Sequence, residues 1–423
     1  MHVSNKNTYQ RGVELIISPK CNLGCTYCYL HKNRKEIFGE ECFNEEKTIS
    51  NLKLILKWLA KHEYNPNLDI FSGELLAQEV GYRVLETIAE HEATIPQILR
   101  PKTITIPTNF TFVNNEDLVK RVENIRAKLK DLGITLCLSA SFDGKYMEQN
   151  RPFLHELDLE TGCKERADEY YDKAFAYAAS TFSGFHPMLY SKGMDKWVEN
   201  FNWFQKKFEE YNIPWDAIYL LQVRNEEWDQ KSIKDLYNFV QYLHKFAFEK
   251  LDKDPKRLVD WILGAKGFNI LSWPFSKCGR GLTCGIQSML TIRVSDMKMY
   301  PCHRLGYKDF IFGEMVEDEE EILKVKTNNV ELMLATYITD KRSLPGCAQC
   351  PINHLCTGPC LGSQYESTKS LFTPIPSVCL VTYAICLACI KSLKDLGAWN
   401  YALRRANDDS VAQLKFLEEK FQC

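Results

Sequence analysis

The sequence has no excess of charge of either sign: 53 Lys and Arg stand against 55 Asp and Glu, a formal net charge of -2. That balance implies no pull toward nucleic acid or an anionic membrane surface. Residues 1–12 are polar and lack the apolar core of a secretion signal. The longest apolar run, Val378 to Ile390, is too short to span a bilayer. Internal repeats and low-complexity tracts are absent. The expectation is a cytoplasmic protein with no nucleic-acid or membrane partner. With 423 residues, 45% apolar and 26% charged, the chain has enough material for two or three globular domains.

What is present in excess is cysteine. The 17 cysteines are too dilute for a disulfide scaffold, and nothing marks the chain for an oxidising compartment. They are unevenly placed: three lie within Cys21–Cys28 and ten between Cys278 and Cys389. Clustered thiols in a reduced compartment read as metal ligands.

The first half alternates strand and helix patterns. Short β-rich runs fall at Gly12–Ser18, Leu68–Phe71, Thr103–Pro107 and Ile134–Ser141, with weaker ones near Phe185–Tyr190 and Ala217–Val223. Between them, Ile49, Leu52, Ile55, Leu56 and Leu59 share one helical face, as do Leu118, Val122, Ile125, Leu129 and Leu132. Asp195 and Asp229 are candidate helix caps. Six strand–helix units predict a parallel sheet curled by right-handed crossovers into a full or partial barrel. Chemistry in such folds collects at the C-terminal ends of the strands. The rhythm stops near Leu251. The predicted organisation is a barrel over 1–252, a linker over 253–277, a cysteine-rich module over 278–390 and a helical tail over 391–423. Ser288–Val294 and Lys298–Tyr300 look like a hairpin that delivers Cys302.

The segment Cys21-Asn-Leu-Gly-Cys25-Thr-Tyr-Cys28 follows the first strand. A 4Fe–4S cluster takes four thiolates, so three such close cysteines hold three irons and leave the fourth open. A zinc knuckle is the plainer alternative. Other polar residues fall at strand ends: Ser72-Gly73-Glu74-Leu75 after the second, Thr108-Asn109-Phe110 after the third, and Ser141-Phe142-Asp143-Gly144 after the fourth, with Arg151 shortly beyond. Further on come Cys278-x5-Cys284-x17-Cys302, then Cys347-x2-Cys350-x5-Cys356-x3-Cys360, then Cys379. Eight thiolates suffice for two complete clusters or for two zinc sites.

In this order the segments resemble the signature of the radical S-adenosylmethionine (SAM) superfamily. The C-terminal pattern resembles the SPASM domain of its peptide- and protein-modifying members. The resemblance implies a partial (β/α)6 TIM-like barrel, an α/β fold, with a cysteine-rich iron–sulfur domain appended. It also implies that SAM chelates the open iron on Cys21, Cys25 and Cys28, and that an electron from the cluster splits it into methionine and a 5′-deoxyadenosyl radical. Gly73, Glu74, Asn109, Ser141, Asp143 and Arg151 would contact SAM, with Glu74 on its ammonium and Arg151 on its carboxylate. Cys278, Cys284, Cys302 and Cys360 would hold one auxiliary cluster, and Cys347, Cys350, Cys356 and Cys379 a second, making three in all. A reductase, flavodoxin or ferredoxin would supply electrons. The chain departs from the family pattern at Ser72, Leu75, Met297 and Phe110, the last standing where the family has glycine.

The implied function is oxidative modification of a residue in a ribosomally made peptide or protein: a thioether, a carbon–carbon crosslink or a dehydrogenated side chain. Sulfatase maturation to formylglycine is the alternative reaction, and a non-catalytic electron carrier the alternative class. Sulfatase-maturing relatives place a basic aspartate where this chain has His303, a residue that can itself take a proton near neutral pH. Cys137, Cys386 and Cys389 are expected in packed elements, while Cys42, Cys163 and Cys423 have no assigned role. Trp197, Trp203, Trp215 and Trp228 read as core. With eleven residues before the first strand, any leader recognition is expected from the barrel, the cysteine module or a separate protein.

Overall fold

The computed structural model describes residues 12–38, 43–62, 67–154, 168–225, 227–264, 268–271, 275, 286, 289–320, 322–332, 344–356, 360–406 and 408–421. Cys278 and Cys284 lie outside the described residues, as do Cys42, Cys163 and Cys423.

The strands are β1 (Gly12–Ile16), β2 (Leu68–Phe71), β3 (Thr103–Thr108), β4 (Thr135–Ala140), β5 (Gly184–Phe185), β6 (Met188–Leu189), β7 (Leu221–Gln222), β8 (Met289–Arg293), β9 (Lys298–Tyr300), β10 (Gly313–Asp318) and β11 (Ile322–Thr327). Nine form one sheet in the order β11-β10-β9-β8-β1-β2-β3-β4-β5. From β1 to β5 every pairing is parallel. Strands β6 and β7 pair in parallel with each other, and a bridge between Phe185 and Ile218 continues the curve toward them. The six predicted strands are therefore present, and the expected α/β barrel half is observed.

The helices form for the reasons the sequence suggests. Glu45–Lys61 starts where Asn44 accepts from the Lys47 amide, and buries Ile49, Leu52, Ile55, Leu56 and Leu59. Glu116–Asp131 is capped by Asn115 and buries Leu118, Val122, Ile125 and Leu129. Asp229 caps Gln230–Lys250 by accepting from Ser232. Asp195 caps nothing: it lies inside a short 3-10 turn, and Lys196 precedes the next helix. The aromatic core between these layers is dense, and Phe142, Phe175, Phe185 and Phe204 meet ring to ring at 5.0–6.0 Å. Trp197 is fully buried, as expected of a core residue.

Three features depart from expectation. Residues 253–277 are not all linker, because Pro255–Leu263 is a helix started by Asp254 with proline in its first turn. The predicted hairpin of β8 and β9 exists, but it is no separate unit. β8 pairs in parallel with β1, Glu14 opposite Thr291, so the sheet continues past the barrel. The apolar run around Val378 belongs to the longer helix Pro376–Asp395, which by length and composition alone is apolar enough to cross a membrane. Here it is a core helix: it buries Val381, Ile385, Cys386, Cys389 and Leu393, and its Ser392 meets Nδ1 of His244 at 2.9 Å. Cys386 and Cys389 are thus packed as expected, whereas Cys137 is only half-buried on the other face of β4.

Candidate active site

The loop after β1 is tied to two neighbours. On one side the amide of Gly73 donates to Ser18 O and that of Glu74 to Lys20 O, both at 2.8 Å. Gln78 adds a bond to Lys20 O at 2.9 Å and accepts from the Ser18 hydroxyl at 2.7 Å. The contact is so close that a Cβ on Gly73 would stand 2.1 Å from the Lys20 carbonyl oxygen, so this position requires glycine. On the other side Thr26 N donates to Asn150 O and Gly24 N to Pro152 O. These ties bring Cys21, Cys25 and Cys28 to the wall of one cavity of about 270 Å³. Gly73, Glu74, Asn109, Ser141, Arg151 and His303 line the same cavity. Burial, with Cys25 and Glu74 close by, pushes the Cys21 thiol well up.

Glu74 is buried, and three donors already converge on its carboxylate. Leu76 N and Thr108 Oγ1 donate to Oε1 at 3.1 and 2.7 Å, and Asn109 N donates to Oε2 at 2.5 Å. The side chain therefore staples the end of β2 to the end of β3. Burial outweighs these bonds and pushes its pKa up to about 7. Asn109 is also engaged, donating to Asn22 Oδ1 at 2.7 Å and accepting from Thr111. Phe110 beside it has φ +60°, the left-handed conformation that explains why glycine would suit this position.

Asp143 does not line the cavity. Its Oδ1 lies 3.0 Å from Arg151 Nε and accepts from Met188 N at 2.8 Å, while Oδ2 accepts from the Tyr27 hydroxyl at 2.5 Å. Asp143 thus orients Arg151 and Tyr27, and the Arg151 guanidinium also sits over the Tyr27 ring at 5.5 Å. Arg151 Nη1 donates to Ser141 O at 2.6 Å. Burial opposes the Arg151 charge, but Asp143, Tyr27 and Cys25 together outweigh it and hold the guanidinium protonated.

Two groups in or against this cavity escape a reading of motifs. His186 lines it and hydrogen-bonds both Ser139 and Ser141. Glu14, on β1, holds His303. Its Oε1 meets His303 Nδ1 at 2.5 Å, and its Oε2 accepts from His303 N and from Thr291 Oγ1, each at 2.9 Å. The His303 ring stacks on Phe71 at 4.1 Å and faces the cavity. The one visible signal for Glu14 is a carboxylate in the apolar run of β1, where burial demands a partner.

Cys302 follows β9 and begins the turn His303–Leu305. Its neighbour Arg304 reaches Glu366 through two bonds, at 3.0 and 2.6 Å. Cys360 begins the helix Leu361–Thr368. Burial would raise its pKa, but Arg304 and hydrogen bonds from Ser363 hold it below the ordinary thiol value. Cys347, Cys350, Cys356, Cys360 and Cys379 line a second cavity of about 80 Å³. Burial and the other three thiols push Cys379 up to about 11. Among the described residues no three His, Cys, Asp or Glu side chains converge on a single-ion site. Arg224 lines both cavities and so lies between them.

No protein-family model and no curated protein sequence matches the chain. Solved structures do. A histidine-tagged anSMEcpe with bound AdoMet aligns over 96% of this chain and 98% of its own, at 18% identity and a TM-score of 0.60. Native anSMEcpe with bound AdoMet and a peptide, Cp18Cys, aligns over 92% and 99%, at 20% identity and a TM-score of 0.56. Streptococcus suis SuiB bound to its precursor peptide SuiA aligns over 88% and 76%, at 17% identity and 0.48, a likeness too slight to argue from. The fold is that of the radical SAM enzymes. It follows the arrangement of anSMEcpe from the barrel through the cysteine-rich C-terminal region.

Proposed function

We propose that this chain is a radical SAM enzyme that oxidatively modifies a residue of a ribosomally made peptide or protein, forming a thioether, a carbon–carbon crosslink or a dehydrogenated side chain. The observation that carries the reading is a single cavity lined by Cys21, Cys25 and Cys28 together with Glu74, Asn109, Ser141 and Arg151 from the ends of successive strands. An electron carrier needs no such polar lining beside an incomplete set of thiols.

The residues fit the group. Burial, with the Cys25 and Cys28 thiols and Glu74 beside it, pushes the Cys21 pKa well up, so a bound cation would be needed to hold it as a thiolate. Cys21, Cys25 and Cys28 would hold the SAM-binding 4Fe–4S cluster, and bound SAM would supply a carbon radical that takes a hydrogen atom from the substrate. Gly73 admits the close backbone approach, and Arg151 offers a fork for a carboxylate. Asp143 acts through Arg151 and Tyr27 rather than on SAM. In the C-terminal half, Cys347, Cys350, Cys356 and Cys379, gathered on one hollow of about 80 Å³, would hold a second cluster. Cys302 and Cys360, linked through Arg304, would share another cluster with Cys278 and Cys284. Three clusters, a cytoplasmic location and a flavodoxin, ferredoxin or reductase as electron donor complete the reading. His303, held by Glu14, is the residue placed to accept the proton that leaves the substrate.

A peptide substrate is supported by the peptide in the anSMEcpe structure, whose arrangement this chain shares. The same likeness favours sulfatase maturation as the second reading. One incubation separates them: a Cys-x-Pro-x-Arg sulfatase peptide and a peptide encoded beside this gene, each with SAM and reductant, read by mass spectrometry. The expected result is loss of a pair of hydrogen atoms from the neighbouring peptide and little formylglycine on the other. Efficient formylglycine formation promotes the second reading.

A further inference from the structure

The imidazole of His186 is placed by three bonds. Its amide donates to Ala140 O at 2.9 Å, Nδ1 meets Ser139 Oγ at 2.6 Å and Nε2 meets Ser141 Oγ at 2.6 Å. Ser139, in β4, and Ser141, just past its end, are two residues apart on extended chain, so their side chains leave the same face, about 6.6 Å apart. One ring with a hydrogen bond at each end closes that gap. Pro187 follows and favours an extended backbone at His186, which aims the ring back across β4. Ser141 itself has little freedom left. Its amide donates to Thr108 O at 2.7 Å, and its carbonyl accepts from Arg151 at 2.6 Å.

The remaining variable is the direction of the Ser141 hydroxyl. Burial, with Arg151 beside it, pulls the His186 pKa down to about 4, so the ring is neutral at physiological pH. A neutral imidazole has one N–H and one bare nitrogen. One serine must therefore donate to the ring and the other accept from it. Either way the Ser141 hydroxyl is no longer a free rotor, and the ring's tautomer decides whether it offers the cavity its hydrogen or a lone pair. Preorganisation of this kind removes an ordering cost from ligand binding.

We propose that His186 is a positioning residue for SAM: clasped between Ser139 and Ser141, it fixes the direction in which the Ser141 hydroxyl meets the bound cofactor. The proposal rests on the SAM site argued above. His186 acts through Ser141 and leaves cluster assembly alone, because among the described residues its hydrogen-bond partners are Ser139, Ser141 and Ala140 and no thiol.

The test measures the SAM dissociation constant of the anaerobically reconstituted protein by equilibrium dialysis, with the change in the reduced cluster's electron paramagnetic resonance spectrum on adding SAM as a second readout. His186→Leu is expected to weaken SAM about five- to tenfold, the worth of one or two ordered hydrogen bonds, with iron and sulfide content unchanged. His186→Gln, which keeps a donor and an acceptor, recovers most of that loss. Ser141→Ala with His186→Leu binds no more weakly than Ser141→Ala alone, because the second change acts only through the first. Wild-type affinity in His186→Leu, or losses that multiply in the double variant, overturns the proposal. If His186→Leu fails to fold, Ser139→Ala decides. It removes one end of the clasp, so weaker SAM binding supports the proposal and unchanged binding overturns it. Wild-type protein that binds no SAM refutes the proposed function itself, and is told apart by the absence of any affinity to compare.

Discussion

Glu14 and His303 are 289 residues apart in sequence, and the Glu14 carboxylate takes both Nδ1 and the main-chain amide of His303. β1 and β8 make this pairing, because Thr291, opposite Glu14, gives the same carboxylate a third donor. Burial would raise the Glu14 pKa, but His303 and these bonds outweigh it and hold it below its ordinary value of 4.5. A depressed carboxylate contributes stability above pH 4.5 and loses it as the pH falls through the lower folded value. Glu14→Gln is therefore predicted to cost about 2 kcal/mol at pH 7. The gap to wild type should narrow in acid. Urea unfolding of both proteins at pH 7 and at pH 4 checks this, and a gap that widens in acid contradicts it.

Glu74 has the opposite sign. Its pKa is raised to about 7, so neutral Glu74 is favoured by the fold, and that advantage disappears as the pH climbs from 4.5 to 7. Metal-free wild type should lose stability over this interval more steeply than Glu74→Gln. If Glu74 also meets the SAM ammonium, binding favours its ionised form. SAM should then bind more tightly at pH 8 than at pH 6 and release a proton, which calorimetry in two buffers of different ionisation enthalpy detects.

Phe110 sets two effects against each other. Its left-handed backbone costs about 1–2 kcal/mol that glycine would recover. Its ring, fully buried and edge-on to Tyr177 at 5.7 Å, is worth about 3–5 kcal/mol. Packing wins, so Phe110→Gly is predicted to destabilise the chain by about 1–4 kcal/mol. Equilibrium unfolding measures the difference, and a stabilised variant would show the backbone strain to be the larger effect.

Much of the barrel is legible in the sequence because its signals are local. Four-three spacing marks the buried faces of Glu45–Lys61 and Glu116–Asp131, and the polar motifs fall where parallel strands end. What escapes depends on contacts distant in sequence. His186 looks like a lone histidine in a weak strand until β4 and β5 lie side by side. The pairing of β8 with β1 leaves no trace in either segment. Asp143 reads with the SAM residues because it shares their motif, yet it points behind the cavity wall toward Arg151 and Tyr27. The helix Pro255–Leu263 hides behind its proline, which reads as a break, whereas a capping aspartate before proline begins a helix.

The most direct test of the account is the formation of 5′-deoxyadenosine from SAM by anaerobically reconstituted, chemically reduced protein, compared with a variant carrying Cys21→Ala, Cys25→Ala and Cys28→Ala. Iron is counted in both. The account predicts about twelve irons and steady 5′-deoxyadenosine release in the wild type, and about eight irons with no release in the variant. Continued SAM cleavage by the triple variant, or zinc in place of iron in the C-terminal module, would contradict it.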